Sequence, residues 1–335
     1  MPESANLPIA LTSYSLPHAT GFIATRDGQA CQKPVTPFEL MDASVEMGLA
    51  GVDMPLPPNM PTAQFREALE ERNLRIVTEY LCLLDVEPAQ LRQFLEDSAA
   101  VGAKVARVLI SRILCGDRRN LPEGWEGRLA GAAARLREAL PVAETLGLAL
   151  VVENHQDATS DDLLRLYELS GSSPAYGICL DTGNPLSVGE GPVETARKLA
   201  PFIKHLHLKD YTIHFAPEGY RLVRCAAGDG CIDFPAILDA VKDNGFDDLL
   251  PGCEIAAQPT RTIPLLEETW WQCYPETHPA TLIQALRVLW KHGRSMDEPY
   301  SSAWERGADS ATVCDEEWMI VRKSIEYFRE LYNHE

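Results

Sequence analysis

The chain has 335 residues, with 30 Lys and Arg against 49 Asp and Glu, a formal charge of −19. That balance disfavours a protein that grips nucleic acid, because affinity for a phosphate backbone comes from clustered positive charge. A composition of 45% hydrophobic and 24% charged residues describes a folded chain with a sizeable core. No apolar run reaches the roughly 18 residues of a membrane-spanning helix. The first residues lack the basic and apolar stretches of a secretory signal. Nine cysteines without a C-x-x-C pair argue against a disulfide framework or a thiolate zinc site. These features predict a cytoplasmic protein with no membrane and no nucleic-acid partner.

Short apolar runs, each followed by a stretch of helical periodicity, predict elements in strict alternation. Strand 9–13 precedes helix 37–47, strand 50–54 precedes helix 62–72, and strand 75–81 precedes helix 88–101. Strand 106–110 precedes helix 126–146, strand 149–154 precedes helix 160–169, and strand 177–181 precedes helix 191–199. Strand 205–208 precedes helix 234–244, and strand 249–255 closes the series. Pro37 after Thr36 suits a first helical turn, where the missing N–H costs little. Ser160, Asp161 and Asp162 place acceptors and negative charge at another helix start. Gly48, Gly102, Gly147 and Gly245 stand where helices end and strands begin.

Near-continuous apolar strands alternating with helices predict a parallel sheet covered on both faces. Eight repeats in about 256 residues predict an α/β fold, a single (β/α)₈ TIM barrel, with a C-terminal helical extension. An open doubly wound sheet is disfavoured, because no G-x-G-x-x-G turn follows the first strand. The expected domains are a barrel over 1–257 and an extension over 258–335, packing on the barrel or at an oligomer interface. The extension is predicted to contain helices 279–292 and 316–332. Trp318, Val321, Ile325 and Phe328 recur at helical spacing in the second of these.

Chemistry in such a barrel gathers at the C-terminal ends of the strands. Strand five ends in Glu153-Asn154-His155, strand six in Asp181-Thr182-Gly183-Asn184, strand seven in His205-Leu206-His207-Leu208-Lys209-Asp210 and strand eight in Cys253-Glu254. A carboxylate in a buried strand is costly without compensation, and three at equivalent places repel unless a cation holds them. Glu153, Asp181, His207 and Glu254 offer three oxygens and one nitrogen, a set suited to Mn²⁺, Mg²⁺, Co²⁺ or Zn²⁺. A structural salt-bridge network is the alternative.

V-V-E-N-H, L-D-T-G-N, H-L-H-L-K-D and the late glutamate, with G-D-G-C-I-D between the last two, resemble the xylose isomerase-like barrel superfamily. That superfamily includes sugar isomerases and epimerases, inosose and dehydroshikimate dehydratases, and endonuclease IV-type repair enzymes. The resemblance implies that Glu153, Asp181, His207 and Glu254 form a one-ion site, with Mn²⁺ first among the candidates. It also implies proton transfer by Glu153 and Glu254 to and from carbon, through a metal-stabilised enediolate. Two activities follow. The leading one is a divalent-metal-dependent isomerase or epimerase of a small sugar or keto-sugar. The alternative is a lyase on an oxo sugar or oxo sugar acid (decarboxylase, dehydratase or 3-oxo-glycoside cleavage), with His155 as base.

His155 shares its strand face with Glu153 and is either that base or a side chain orienting a ligand. His205 shares the face of His207, which is preferred because it lies nearer the strand end. Asn184 replaces the histidine many epimerases carry, which favours the lyase. Lys209 and Asp210 bind a substrate oxygen or pair with each other, and Arg112 is a possible carboxylate clamp. His18, Tyr14, Glu79 and Tyr80 are expected to line the pocket, and His214 to contact substrate. Trp270-Trp271 caps the pocket or packs at a subunit contact. The expected partner is a carbohydrate or sugar acid, with self-association as a dimer or tetramer.

Overall fold

A computed structural model describes residues 6–242, 249–255, 258–297 and 300–333, apart from the side chains of Tyr80 and Leu81. Eight parallel strands close a barrel: β1 (Leu7–Thr12), β2 (Leu49–Pro55), β3 (Arg75–Cys82), β4 (Val105–Leu109), β5 (Ala149–Glu153), β6 (Tyr176–Asp181), β7 (Ile203–Leu208) and, after a hairpin, β10 (Gly252–Cys253). Closure comes from β1, which pairs with β2 on one side and with β10 on the other, at Ala10↔Gly252 and Leu11↔Cys253. Helices α1 (Pro37–Glu46), α2 (Thr62–Glu71), α3 (Pro88–Ala100), α4 (Gly124–Leu146), α5 (Ser160–Leu169), α6 (Pro192–Leu199) and α7 (Phe234–Lys242) alternate with the strands. This is the (β/α)₈ barrel the periodicity predicts.

Local chemistry explains the element ends. Thr36 accepts from the Glu39 N–H while the Glu39 carboxylate accepts from Thr36, so α1 opens on a reciprocal cap with Pro37 in its first turn. Thr159 and Asp162 do the same for α5, one residue before the predicted cap. Gly147 closes α4 at φ +69°, a left-handed conformation that favours glycine. Gly245 and the end of helix 234–244 lie outside the described residues, as does the predicted boundary at 257.

The structure departs from expectation in the connection after β7. Strands β8 (Tyr211–Ala216) and β9 (Gly219–Arg224) form an antiparallel hairpin, joined by β11 (Arg261–Ile263) and β12 (Gly293–Arg294) into a second, four-stranded sheet. The eighth predicted strand shrinks to Gly252–Cys253 among the described residues. Beyond it, α8 (Glu268–Trp271) packs Trp270 fully inside, its indole N–H donating to the Cys115 carbonyl at 3.3 Å. The tryptophan pair is therefore packing, with Trp271 bonded to the Leu265 carbonyl at 2.7 Å.

Helix α9 (Pro279–His292) has the predicted bounds, and α10 (Ser310–Asn333) starts six residues earlier than 316. Val321, Ile325 and Phe328 are buried against the barrel core. Glu317 of α10, fully buried, accepts from the backbone N–H groups of His18 and Ala19 and from Gln258, so the extension grips the loop after β1. Among the described residues, no helix is long and apolar enough to cross a membrane.

Candidate metal centre

Successive strands deliver one candidate ligand each to a common point. Oxygens of Glu153, Asp181 and Glu254 and a ring nitrogen of His207 all lie within 4.8 Å of one another, and all four residues are buried. The parallel register produces this meeting, because Glu153 pairs with Cys179 and Asp181 with His207 on neighbouring strands. Gly252 contributes by what it lacks. A Cβ there would approach Thr12 at 2.7 Å, Asp53 at 3.2 Å and the His207 ring at 3.3 Å.

Asp53, which the sequence reading passed over, sits behind both histidines. Its Oδ2 lies 2.8 Å from His205 Nε2 and 3.0 Å from His207 Nε2. Burial opposes ionisation, yet the two imidazoles hold Asp53 well below the usual carboxylate range. With the ionised Asp53 as acceptor at Nε2, the Nδ1 of His207 faces the carboxylates, the arrangement of a carboxylate behind a metal-binding histidine. His205 stays one layer deeper. His207 Nδ1 stands 2.9 Å from Glu254 Oε2 and 3.8 Å from Glu153 Oε2, without a hydrogen bond of acceptable geometry. Against the effect of burial, Glu254 and the other buried acids favour the protonated ring in the absence of metal, and a divalent ion bound there would take the place of that proton between nitrogen and carboxylate.

Arg107, on β4, is the second residue the reading missed. It is buried between Glu79 and Glu153, ion-paired with both. Lys209 bonds Asp181 and also Glu254, at 2.7 Å, so it does not pair with Asp210. Five buried carboxylates (Asp53, Glu79, Glu153, Asp181, Glu254) therefore face at most three cations, Arg107, Lys209 and a protonated His207. That excess of buried negative charge, the orphaned His207 nitrogen and the oxygen-rich donor set all fit a divalent ion. Burial pushes Asp181 up to about 6, with Lys209 opposing. Burial also acts on Glu254, but His207 and Lys209 hold it well below its ordinary value.

Asp210 anchors the mouth loop. Its carboxylate accepts from the backbone N–H groups of Tyr211, Gly228, Gly230, Cys231 and Ile232 at 2.8–3.1 Å. This cradle explains G-D-G: a Cβ on Gly230 would meet Asp210 Oδ1 at 2.1 Å and the Tyr211 carbonyl at 2.5 Å. Gly230→Ala is expected to cost about 2–3 kcal/mol through overpacking against fixed backbone, read as a lower urea midpoint.

The other expected residues are spread wider. His155 is half-buried, its Nδ1 is unpartnered among the described residues, and burial pushes its pKa down to about 4, leaving the imidazole neutral. Asn184 is fully buried with both side-chain polar atoms unpartnered among the described residues, while its backbone N–H donates to Asp181. Arg112 is exposed and paired with Asp85 at 2.6 Å, on the wall of a cavity of about 660 Å³ shared with Tyr14 and Glu79. Tyr14 lies under Arg107, 5.8 Å from ring centroid to guanidinium carbon, so this cavity abuts the cluster. His18 is not brought to the cluster. Its Nδ1 lies 2.9 Å from the Ile23 carbonyl and its Nε2 2.8 Å from Ser310 Oγ. His214 is buried in the hairpin, 3.3 Å from Thr212 Oγ1 and against Tyr300. Tyr80 falls outside the described side chains.

Just beyond His155, Asp157 accepts from Ser111 at 2.6 Å, while its other oxygen is buried without a partner among the described residues. Burial raises its pKa to about 7. An acid whose pKa is higher folded than unfolded destabilises the fold as pH rises from about 4 to about 7, fully so above that. Asp157→Asn removes that penalty. Its stability advantage is expected to be a few kcal/mol at pH 8 and to vanish toward pH 4, by urea titration at both.

The sequence over residues 41–277 matches the family described as xylose isomerase-like TIM barrel. The chain belongs to that family. The 3-oxo-isoapionate decarboxylase of Pectobacterium atrosepticum is 32% identical over 117 residues, covering 34% of this chain and 42% of that protein. The chain thus spans less than half the length of that relative. An inosose dehydratase of Geobacillus kaustophilus is 24% identical over 234 residues, 60% of this chain and 74% of that one. A xylose isomerase-like TIM barrel protein from Mycobacterium smegmatis, solved in complex with magnesium, shares the fold at a TM-score of 0.57. It is 18% identical, with 85% of this chain and 97% of that one covered.

Proposed function

We propose that this family member is a divalent-metal-dependent lyase acting on a small oxo sugar or oxo sugar acid, with Glu153, Asp181, His207 and Glu254 holding the ion. The observation that carries the choice is the Arg107 clamp. Epimerisation needs two proton-transfer groups facing opposite sides of one carbon. Glu153 is tied to Arg107, which together with His207 lowers its pKa against the effect of burial. Glu254 is held ionised by His207 and Lys209. Both glutamates are therefore committed to ion pairs, whereas His155, although burial lowers its basicity too, is free of them among the described residues. His155 is neutral, with an unpartnered nitrogen at the same strand end. The isomerase reading that leads from the sequence thus becomes the second one.

When bound, a divalent ion supplies fixed positive charge beside a substrate carbonyl and acidifies the neighbouring carbon; Mn²⁺ suits the donor set. In the dehydratase form, His155 takes the proton from that carbon and returns it to the hydroxyl on the next carbon, which leaves as water. Asn184 offers one donor and one acceptor to substrate hydroxyls. Arg107 and Lys209 keep the carboxylates ionised and in place. The decarboxylase and dehydratase among the relatives support this reading.

The test is incubation with inosose and with 3-oxo sugar acids in deuterated water, followed by NMR and mass spectrometry. A product lighter by water or carbon dioxide supports the lyase. Solvent deuterium in a product of unchanged formula overturns it in favour of Glu153/Glu254 isomerisation. His155→Asn is expected to lower kcat by at least about a hundred-fold, the lower range for a general base. Near-normal turnover would return His155 to an orienting role. Chelation is expected to abolish activity, with Mn²⁺ restoring it.

A further inference from the structure

Four basic side chains lie deeply buried among the described residues: Arg107, Arg118, Lys209 and Arg224. Three have partners. Arg107 pairs with Glu79 and Glu153, Arg118 with Asp162 and the Asp157 carbonyl, and Lys209 with Asp181 and Glu254. Arg224, the last residue of β9, is 2% exposed, and none of its guanidinium nitrogens has a hydrogen-bond partner among the described residues. A buried guanidinium stripped of water and left uncompensated is strongly unfavourable. Burial lowers its pKa, with Glu317 and Glu316 opposing incompletely, but an arginine stays charged.

Arg224 lines a cavity of about 450 Å³ between the β8–β9 hairpin and α10, whose wall also carries Thr212, Tyr300, Arg294 and Lys323. Two acids reach the same wall; Asp229 is engaged elsewhere, and Glu316 is engaged through Oε1 alone, its Oε2 being buried without a hydrogen-bond partner among the described residues. Asp229 receives Lys323 at 2.5 Å. Glu316 accepts from the Ala303 N–H at 2.9 Å and faces Arg306 at 3.8 Å. Glu317 is taken by His18, Ala19 and Gln258.

We propose that this cavity is an oxyanion site, taking a phosphate or carboxylate group on Arg224, with Lys323 and Arg294 at its rim. The planar fork of the guanidinium matches two oxygens of such a group, and burial strengthens the charge-assisted bonds. Arg224 faces none of the strand-end carboxylates, so the site is separate from the metal cluster and does not depend on the lyase reading. Its position between hairpin and α10 means that an occupant cross-links the extension to the barrel.

Two sources share this chemistry, a free phosphate ion and the acidic group of a sugar ligand reaching in from the mouth. The experiment is calorimetric titration of the full chain with inorganic phosphate and with D-fructose 6-phosphate, in chloride at constant ionic strength. Saturable phosphate binding is expected, weakened about ten-fold or more in Arg224→Gln and about two- to five-fold in the rim variant Lys323→Gln. Tighter binding of the sugar phosphate, lost in Glu254→Gln, identifies a ligand spanning both sites. Equal affinities identify the free ion. No binding of either probe overturns the proposal, as does phosphate affinity unchanged in folded Arg224→Gln. Should that variant fail to fold, unchanged affinity in Lys323→Gln overturns it.

Discussion

Glu254→Gln is expected to lower kcat by roughly a thousand-fold or more, beyond the ~10–100-fold typical of residues that only orient a ligand. The substitution removes a charge from the candidate ion site and one carboxylate from each of Lys209 and His207, which keep Asp181 and Asp53. Fold stability should change little, because the cluster already carries more buried carboxylates than fixed cations, and a neutral amide of the same shape relieves repulsion. Turnover and urea unfolding, measured on one preparation, separate the two effects. An active variant contradicts the site; an inactive and unfolded one assigns Glu254 a structural task instead.

Arg107→Met should do the reverse, acting first on stability. It leaves Glu79 and Glu153 buried without their shared cation, and removing one partner of such a group costs about 3–5 kcal/mol. Adding Glu79→Gln to this variant should recover part of the loss, since it removes one of the stranded charges. Urea unfolding of the single and double variants in metal-free buffer checks this. Equal stability of wild type and Arg107→Met would mean the two glutamates are protonated in the fold, and the case for a buried charge excess would fail.

Much of the architecture was legible because it rests on periodicities the backbone imposes. The strand–helix alternation, the Thr36–Pro37 helix start and the helix over 279–292 all follow from local spacing. The β8–β9 hairpin was missed although Tyr211-Thr212-Ile213-His214 and Tyr220-Arg221-Leu222-Val223 carry a partial two-residue alternation. Expecting a helix after every strand hid it. At the site, the four clustered groups were readable as charges at strand ends. Asp53 and Arg107 carried the same signal, a charge inside an apolar strand, but lie deeper in the barrel than the rule about strand ends looks. The engagement of His18 by Ile23 and Ser310, and of Asp210 by the G-D-G loop, depends on tertiary contacts that no local pattern encodes. Arg224 offers no sequence signal at all, since only the fold reveals that its nitrogens lack partners.

Ion binding at Glu153, Asp181, His207 and Glu254 is measured by Mn²⁺ titration of the metal-free protein, followed by electron paramagnetic resonance and calorimetry, with Asp181→Asn and Glu254→Gln alongside. One ion per chain, with affinity falling at least about a hundred-fold in either variant, is the predicted result. Absence of binding by the wild type, or binding that ignores both substitutions, would contradict a shared ion at these four side chains.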